Sequence, residues 1–191
     1  MVNGNLFDAM GYFRSLCQQN VLAQSLGFHP CVCSGMATLP DVLAAQKHHR
    51  NLFVVDDTNN GRSYRANRAG FSLRRTYTVF LLMQYRRDDM ADRQQKLETC
   101  RTLFLQLHRR MLHDRELLAT DMWLLNTDNV MSAELGEMFI QGCTGLWFTI
   151  DADEPVNLCY DPNEWEENPS DNDLTPSDNG NEDDTGEQPG A

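Results

Sequence analysis

The chain has 191 residues, a formal net charge of −12 and a sequence pI near 4.7. Yet 11 of its 28 acidic side chains, and none of its lysines or arginines, lie between Asp161 and Ala191, so Met1 to Tyr160 holds 17 acids against all 16 bases. That distribution excludes a uniformly acidic protein of the nucleic-acid-mimic or calcium-binding kind. It leaves a near-neutral domain, residues 1–160, large enough for one hydrophobic core, and an acidic tail, residues 161–191.

Asn5 to Leu26 reads as a first helix, because Leu6, Met10, Phe13, Cys17, Val21 and Gln24 recur at spacings of three or four. Gly27 suits its end, and His29-Pro30 stops it. A second, shorter helix starts at Thr38-Leu39-Pro40-Asp41, with a capping Thr38, Pro40 in the first turn and Asp41 at the positive end of the dipole. It ends near His49, where His48, His49 and Arg50 complement the terminal carbonyls. Between the helices, the His29 to Cys33 run is expected to be a partly buried loop. Its C-x-C spacing lacks a matching C-x-x-C, so Cys31 and Cys33 with His48 and His49 are not expected to bind metal.

Asn51 to Asp57 is a short β-rich run, broken by turn formers from Asp56 to Gly61. Phe71 to Tyr85 is the clearest strand. Phe71, Leu73, Tyr77, Val79, Leu81, Met83 and Tyr85 alternate onto one face, with Arg75 the exception, and Ser72, Arg74, Thr76, Thr78 and Gln84 onto the other. Val79 to Met83 is apolar on both faces, the pattern of a strand covered on both sides, whereas the first half is polar on one side and projects. Asp88 to Ala119 is the dominant helix, with Met90, Leu97, Cys100, Phe104, Leu107 and Met111 as its stripe and Leu103 and Leu112 widening it; it should pack across the sheet. Asp121 to Val130 is ambiguous between strand and turn, and Ser132 to Glu137 between brief helix and loop. Met138 to Ile150 reads as a strand interrupted by Gly142 and Gly145, as a bulge or a close approach of another chain segment requires. After Tyr160 the composition is that of a disordered tail.

The order helix, short helix, strand, strand, long helix, strand, strand predicts an α+β domain, a mostly antiparallel sheet with its helices on one face. No run approaches the ~18 apolar residues of a membrane helix. The first ten residues lack the basic and apolar segments of a secretory signal, so cytosolic folding with reduced thiols is expected for the six cysteines.

No phosphate-loop, nucleophile-elbow, zinc-protease or dinucleotide signature occurs, and no catalytic residue, metal or cofactor is expected. Asp56-Asp57 at a strand end and Asp88-Asp89 at a helix start read as caps. His108 and His113 read as part of the solvated face of the long helix. The arginines are more informative. Of 14 in the chain, Arg62, Arg65, Arg68, Arg74 and Arg75 fall between the two central strands and at the start of the second, with Tyr64, Asn60 and Asn67 interleaved. A guanidinium docks carboxylate or phosphate as a planar fork, so Arg62, Tyr64, Arg65, Arg68, Arg74 and Arg75 form the candidate partner-binding set, on a hairpin loop from Thr58 to Gly70. A neutral domain with an acidic tail does not match a nucleic-acid binder; an acidic protein surface fits better.

This layout resembles the tail-terminator and tail-completion proteins of long-tailed phages. The resemblance covers Asn5 to Trp165 and rests on element order and on the character of LGEMFIQGCTGLWFTIDADEPVNLCYDPNEW, Leu135 to Trp165. It implies a small non-enzymatic subunit that forms a homo-oligomeric ring, commonly a hexamer, on the end of the tail tube. Such a ring contacts tail-tube and head-completion proteins, first in the host cytoplasm and then in the virion. The segment from Cys31 to His49 departs from that layout. The competing readings are a head–tail connector or other tail-associated subunit, and, in a different class, a small regulatory or nucleic-acid-associated module using the arginine loop.

Overall fold

A computed structural model describes residues 7–66, 70–120, 122–136 and 142–165. The chain divides into two units, residues 1–157 and 158–191. The first is an α+β domain whose elements run α1 (Ala9–Gln19), α2 (Val21–Ser25), β1 (Phe28–Cys33), α3 (Leu39–Ala45), β2 (Asn51–Asp56), β3 (Asn60–Arg65), β4 (Phe71–Gln84), α4 (Met90–Ala119), β5 (Leu124–Glu134) and β6 (Cys143–Val156). The sheet has six strands in the order β1-β2-β4-β6-β5, with β3 pairing β4 beyond the end of β2. Every pairing is antiparallel except β1 with β2.

Period-two alternation sorts the strands onto two faces. Phe53 and Val55 of β2, Tyr77, Val79, Leu81 and Met83 of β4, and Leu146, Phe148 and Ile150 of β6 meet α1 and α4 in the main core. Leu52, Val54, Phe80 and Leu82 point the other way, to a smaller core with Leu39 and the half-buried Val42 and Leu43 of α3. Val79 to Met83 is therefore covered on both sides, as its two-sided apolar pattern requires. The expectation that all helices share one face is corrected: α3 lies opposite α1 and α4. A parallel β1–β2 pair needs a long crossover, and residues 34–50 with α3 are that crossover.

Several boundaries differ from the sequence reading for identifiable reasons. The first helix is two, because Asn20 is extended (φ −76°, ψ 121°) and its side chain caps α2 by accepting from the Ala23 N–H at 2.8 Å. The kink throws Val21, assigned to the buried stripe, into solvent at 83 % exposure. His29 to Cys33 is a strand, not a loop. Pro30 is tolerated because β1 is an edge strand. Asn60 to Arg65 is also a strand, so the connection to β4 is only residues 66–70 and not Thr58 to Gly70. Ser132 to Glu134 continues β5 and is neither helix nor loop.

Helix α4 is capped by Asp89, which accepts from the Asp92 N–H at 2.9 Å. Its buried line is Leu97, Cys100, Leu103, Leu107 and Met111, with Phe104 only half-buried, Leu112 at the surface and Met90 in solvent. Where β5 slips register between Asn126 and Met131, α4 holds the released backbone. His108 Nε2 donates to the Thr127 carbonyl at 2.8 Å, and Arg115 reaches Asp128 at 2.8 Å. His108 is thus a structural contact and not part of a solvated face. Gly145 meets the interruption expected of it: a Cβ there would stand 1.8 Å from the Leu81 carbonyl oxygen across the β4–β6 ladder.

In the second unit the described residues form a single 3-10 turn, Pro162–Glu164, capped by Asp161, with the Tyr160 and Trp165 rings 6.3 Å apart. The disorder expected of the tail concerns mainly residues 166–191, which lie outside the described residues. So do Arg68 and the first residues of the expected Met138 strand.

Candidate functional site

The main core reaches outward only to Tyr77 on β4 and Ala152 on β6. Beyond those residues β3, the first half of β4 and the end of β6 continue as an arm, flanked at its base by the start of β5, where Leu124 pairs with Asp153; Arg62 faces Arg74 and Arg74 faces Asp153 in the ladders. At ~3.3 Å per residue, Phe71 to Arg74, the β4 residues beyond the one that pairs with Ala152, continue for about 13 Å. Charged side-chain pairs add to the backbone ladders here, and Asp153 and Glu154 are themselves buried.

Arg74 Nε and Nη2 donate to the two carboxylate oxygens of Asp153 at 2.7 Å each, a bidentate fork, and Nη1 lies 3.8 Å from Asp151. Its guanidinium covers the Tyr64 ring at 5.4 Å. Hydrogen bonding to Asp153, with the neighbouring negative charges, holds Arg74 well above even the usual arginine range. Thr76 donates to Asp151 at 2.6 Å on the same face. On the opposite face Arg75 Nε stands 3.1 Å from Glu154 Oε1, an ion pair without hydrogen-bond alignment, while Glu154 Oε2 accepts the Phe7 N–H at 3.0 Å.

The candidate set therefore divides. Arg74, Arg75 and Tyr64 brace the arm from within. Arg65 lies over the Phe71 ring at 5.7 Å with its charge exposed, and Arg62 is exposed with no ion pair among the described residues. Arg68 falls outside the described residues. The acids that complete the brace, Asp151, Asp153 and Glu154, escaped the sequence reading, although an Arg-Arg-Thr run opposite an Asp-x-Asp-Glu run is a legible pairing signal for antiparallel strands.

Inward from the arm, the face carrying Arg74 stays open up to α3. A groove of about 470 Å³ is lined there by Thr76, Thr78, Phe80, Met131, Trp147 and Thr149, among others. Asp56 at its edge is committed to the local backbone, its Oδ1 accepting from the Gly35 N–H, the Thr58 N–H and the Thr58 hydroxyl at 2.7–2.9 Å. Asp56 therefore acts as a turn cap.

All six cysteines are free. Burial pushes the Cys17, Cys33 and Cys100 thiols up to about 12 and Cys31 to about 11, so each is protonated at neutral pH and a poor nucleophile. Cys31 and Cys33 point from β1 toward α3, while the His29 and His49 rings stack 3.8 Å apart, face to face. Among the described residues no three His, Cys, Asp or Glu side chains are placed to share a metal ion, and no helix is long and apolar enough to cross a membrane.

No protein-family model matches the chain, and no curated protein matches it in sequence.

Proposed function

We propose that the protein is a structural assembly subunit of the tail-terminator kind. Copies join side by side in a ring on the end of a phage or prophage tail tube, and the ring offers a surface to the filled head. It works by contact between proteins and not by catalysis, in the host cytoplasm during assembly and then in the virion. The observation that carries this reading is the arm. Its internal charges cancel in a bidentate pair and a buried carboxylate contact, which stiffen it, while Arg62 and Arg65 are left facing outward. A stiff projection tipped with unpaired guanidinium groups fits a head-to-tail contact with an acidic surface on the next copy, and a head-to-tail contact closes into a ring when its rotation divides the circle.

The test is particle mass and shape: light scattering of the full chain at micromolar concentration, with negative-stain images of the same sample. A closed ring of several copies is expected. A monomer in solution that also fails to cap purified tail tubes overturns the proposal.

A further inference from the structure

The end of the sheet where β2 begins and β4 finishes carries a second basic surface that the assembly reading does not use. A polar cleft of about 330 Å³ is lined there by Arg50, Asn51, Gln84, Tyr85, Arg86, Asp92 and Lys96. The backbone fixes its walls: the Gln84 N–H donates to the Arg50 carbonyl at 2.8 Å, placing Arg50 at the entry to β2, and Lys96 faces in from α4. Arg86 is neutralised, lying 2.6 Å from Asp89 and 3.7 Å from Asp92. Arg50 and Lys96 have no counter-ion among the described residues, as is also true of Arg14, Arg62, Arg65, Arg87 and Arg109, but these two line one cleft together. Lys47, the chain's other lysine, lies three residues before Arg50 and does not line the cleft.

We propose that this cleft binds an acidic, base-free peptide segment of a second copy, residues 161–191, through Arg50 and Lys96. Two unpaired cations with two amides and a phenol between them suit carboxylates approaching in succession along a peptide. The chain supplies such a peptide itself, with 11 acidic and no basic side chains in residues 161–191. Pairing it with Arg50 and Lys96 also gives a role to the charge imbalance of the whole sequence. The proposal rests on the assembly reading in requiring copies to meet, but it uses a surface other than the arm.

Zero-length carbodiimide coupling tests it, because that reagent joins lysine to carboxylate and the chain has only Lys47 and Lys96. Full-length protein grown in light and heavy nitrogen is mixed, coupled and digested. The expected products are mixed-isotope peptides linking Lys96 to an acid within 161–191. Their yield should fall roughly two- to fivefold in Arg50→Gln, and also when salt rises from about 0.1 to about 1 M and the screening length drops from ~10 to ~3 Å. Links confined to single-isotope peptides, links from Lys96 only to Asp88, Asp89 or Asp92, or protection of Lys96 by inorganic phosphate to the same degree in a tail-truncated chain would each overturn it. Loss of these links with the particle mass intact condemns the cleft alone; loss of the particle condemns the assembly reading.

Discussion

Gly145 shows how tightly single residues hold the sheet. A methyl group there would sit 1.8 Å from the Leu81 oxygen and 2.9 Å from its carbonyl carbon, and neither backbone atom can move without breaking the β4–β6 ladder. Gly145→Ala is expected to cost about 2–3 kcal/mol in urea unfolding, the range of a substitution that forces backbone to shift. The His29–His49 stack is sensitive in a different way. Burial first, and the adjacent His49 second, pull the His29 imidazole below the usual histidine range, and Lys47, His48 and Arg50 follow in the same turn. An unfolded histidine titrates near ~6.5, so below that pH the unfolded chain holds more protons than the native one. The stability contributed by the neutral His29 ring is complete above that pH and is lost as pH falls. Melting at pH 7.5 and 5.5 should show a drop that His29→Gln makes smaller; an equal drop in the variant would remove this pair as the cause. The sequence showed these histidines as neighbours of a helix end. It held no sign of the stack, because the stack depends on β1 being a strand.

At the scale of elements, α4 closes with a motif that its sequence does not favour. The Trp123 N–H bonds the Leu118 carbonyl and the Met122 N–H the Ala119 carbonyl, which is the Schellman pattern, with Met122 at φ 66° where glycine is usual. Left-handed backbone costs a side-chain-bearing residue about 1–2 kcal/mol, so Met122→Gly should raise stability by up to ~1 kcal/mol once glycine's greater unfolded-state entropy is deducted. A loss of stability would mean that the Met122 side chain contributes packing its 63 % exposure does not suggest. The same helix carries a sharper test of packing. Leu107 is about 1 % exposed between α4 and the sheet, whereas Phe104 is half-buried. Leu107→Ala is expected to cost about 2–5 kcal/mol and Phe104→Ala less than the ~3–5 kcal/mol of a fully buried phenylalanine. The reverse order in denaturant unfolding would show that the buried line is misplaced. Four residues of the stripe were legible, since Leu97, Cys100, Leu107 and Met111 follow helical spacing, whereas Met90 and Leu112, assigned to it, are exposed. The centre of the stripe was not legible, because Leu103 and Phe104 are equally apolar and only the approach of the sheet decides which one enters.

For the molecule as a whole, the α+β class, the long helix across the sheet and the doubly covered centre of β4 could be read from periodicity, a property of each segment alone. What could not be read depends on partners: Pro30 reads as a stop unless β1 is known to be an edge, and Asn60 to Arg65 reads as a loop because nothing apolar marks it. β3 is a strand through its ladder to β4, whose other side β6 holds with Asp153 and Glu154. The candidate site was half legible on the same grounds. The arginine cluster was visible, but its division into bracing and outward-facing members required the register.

That division makes the central claim testable in one measurement, sedimentation of Arg62→Gln/Arg65→Gln beside the unaltered chain across a salt series, with melting recorded on the same samples. Exposed charges contribute ~0–1 kcal/mol each to folding, so the melting temperature should stay nearly unchanged. The multi-copy particle of the unaltered chain should weaken with added salt, as screened contacts do, and the double variant should sediment as smaller species even at low salt. Equal particle sizes for both proteins at every salt concentration would contradict the account, since assembly would then proceed without the arm.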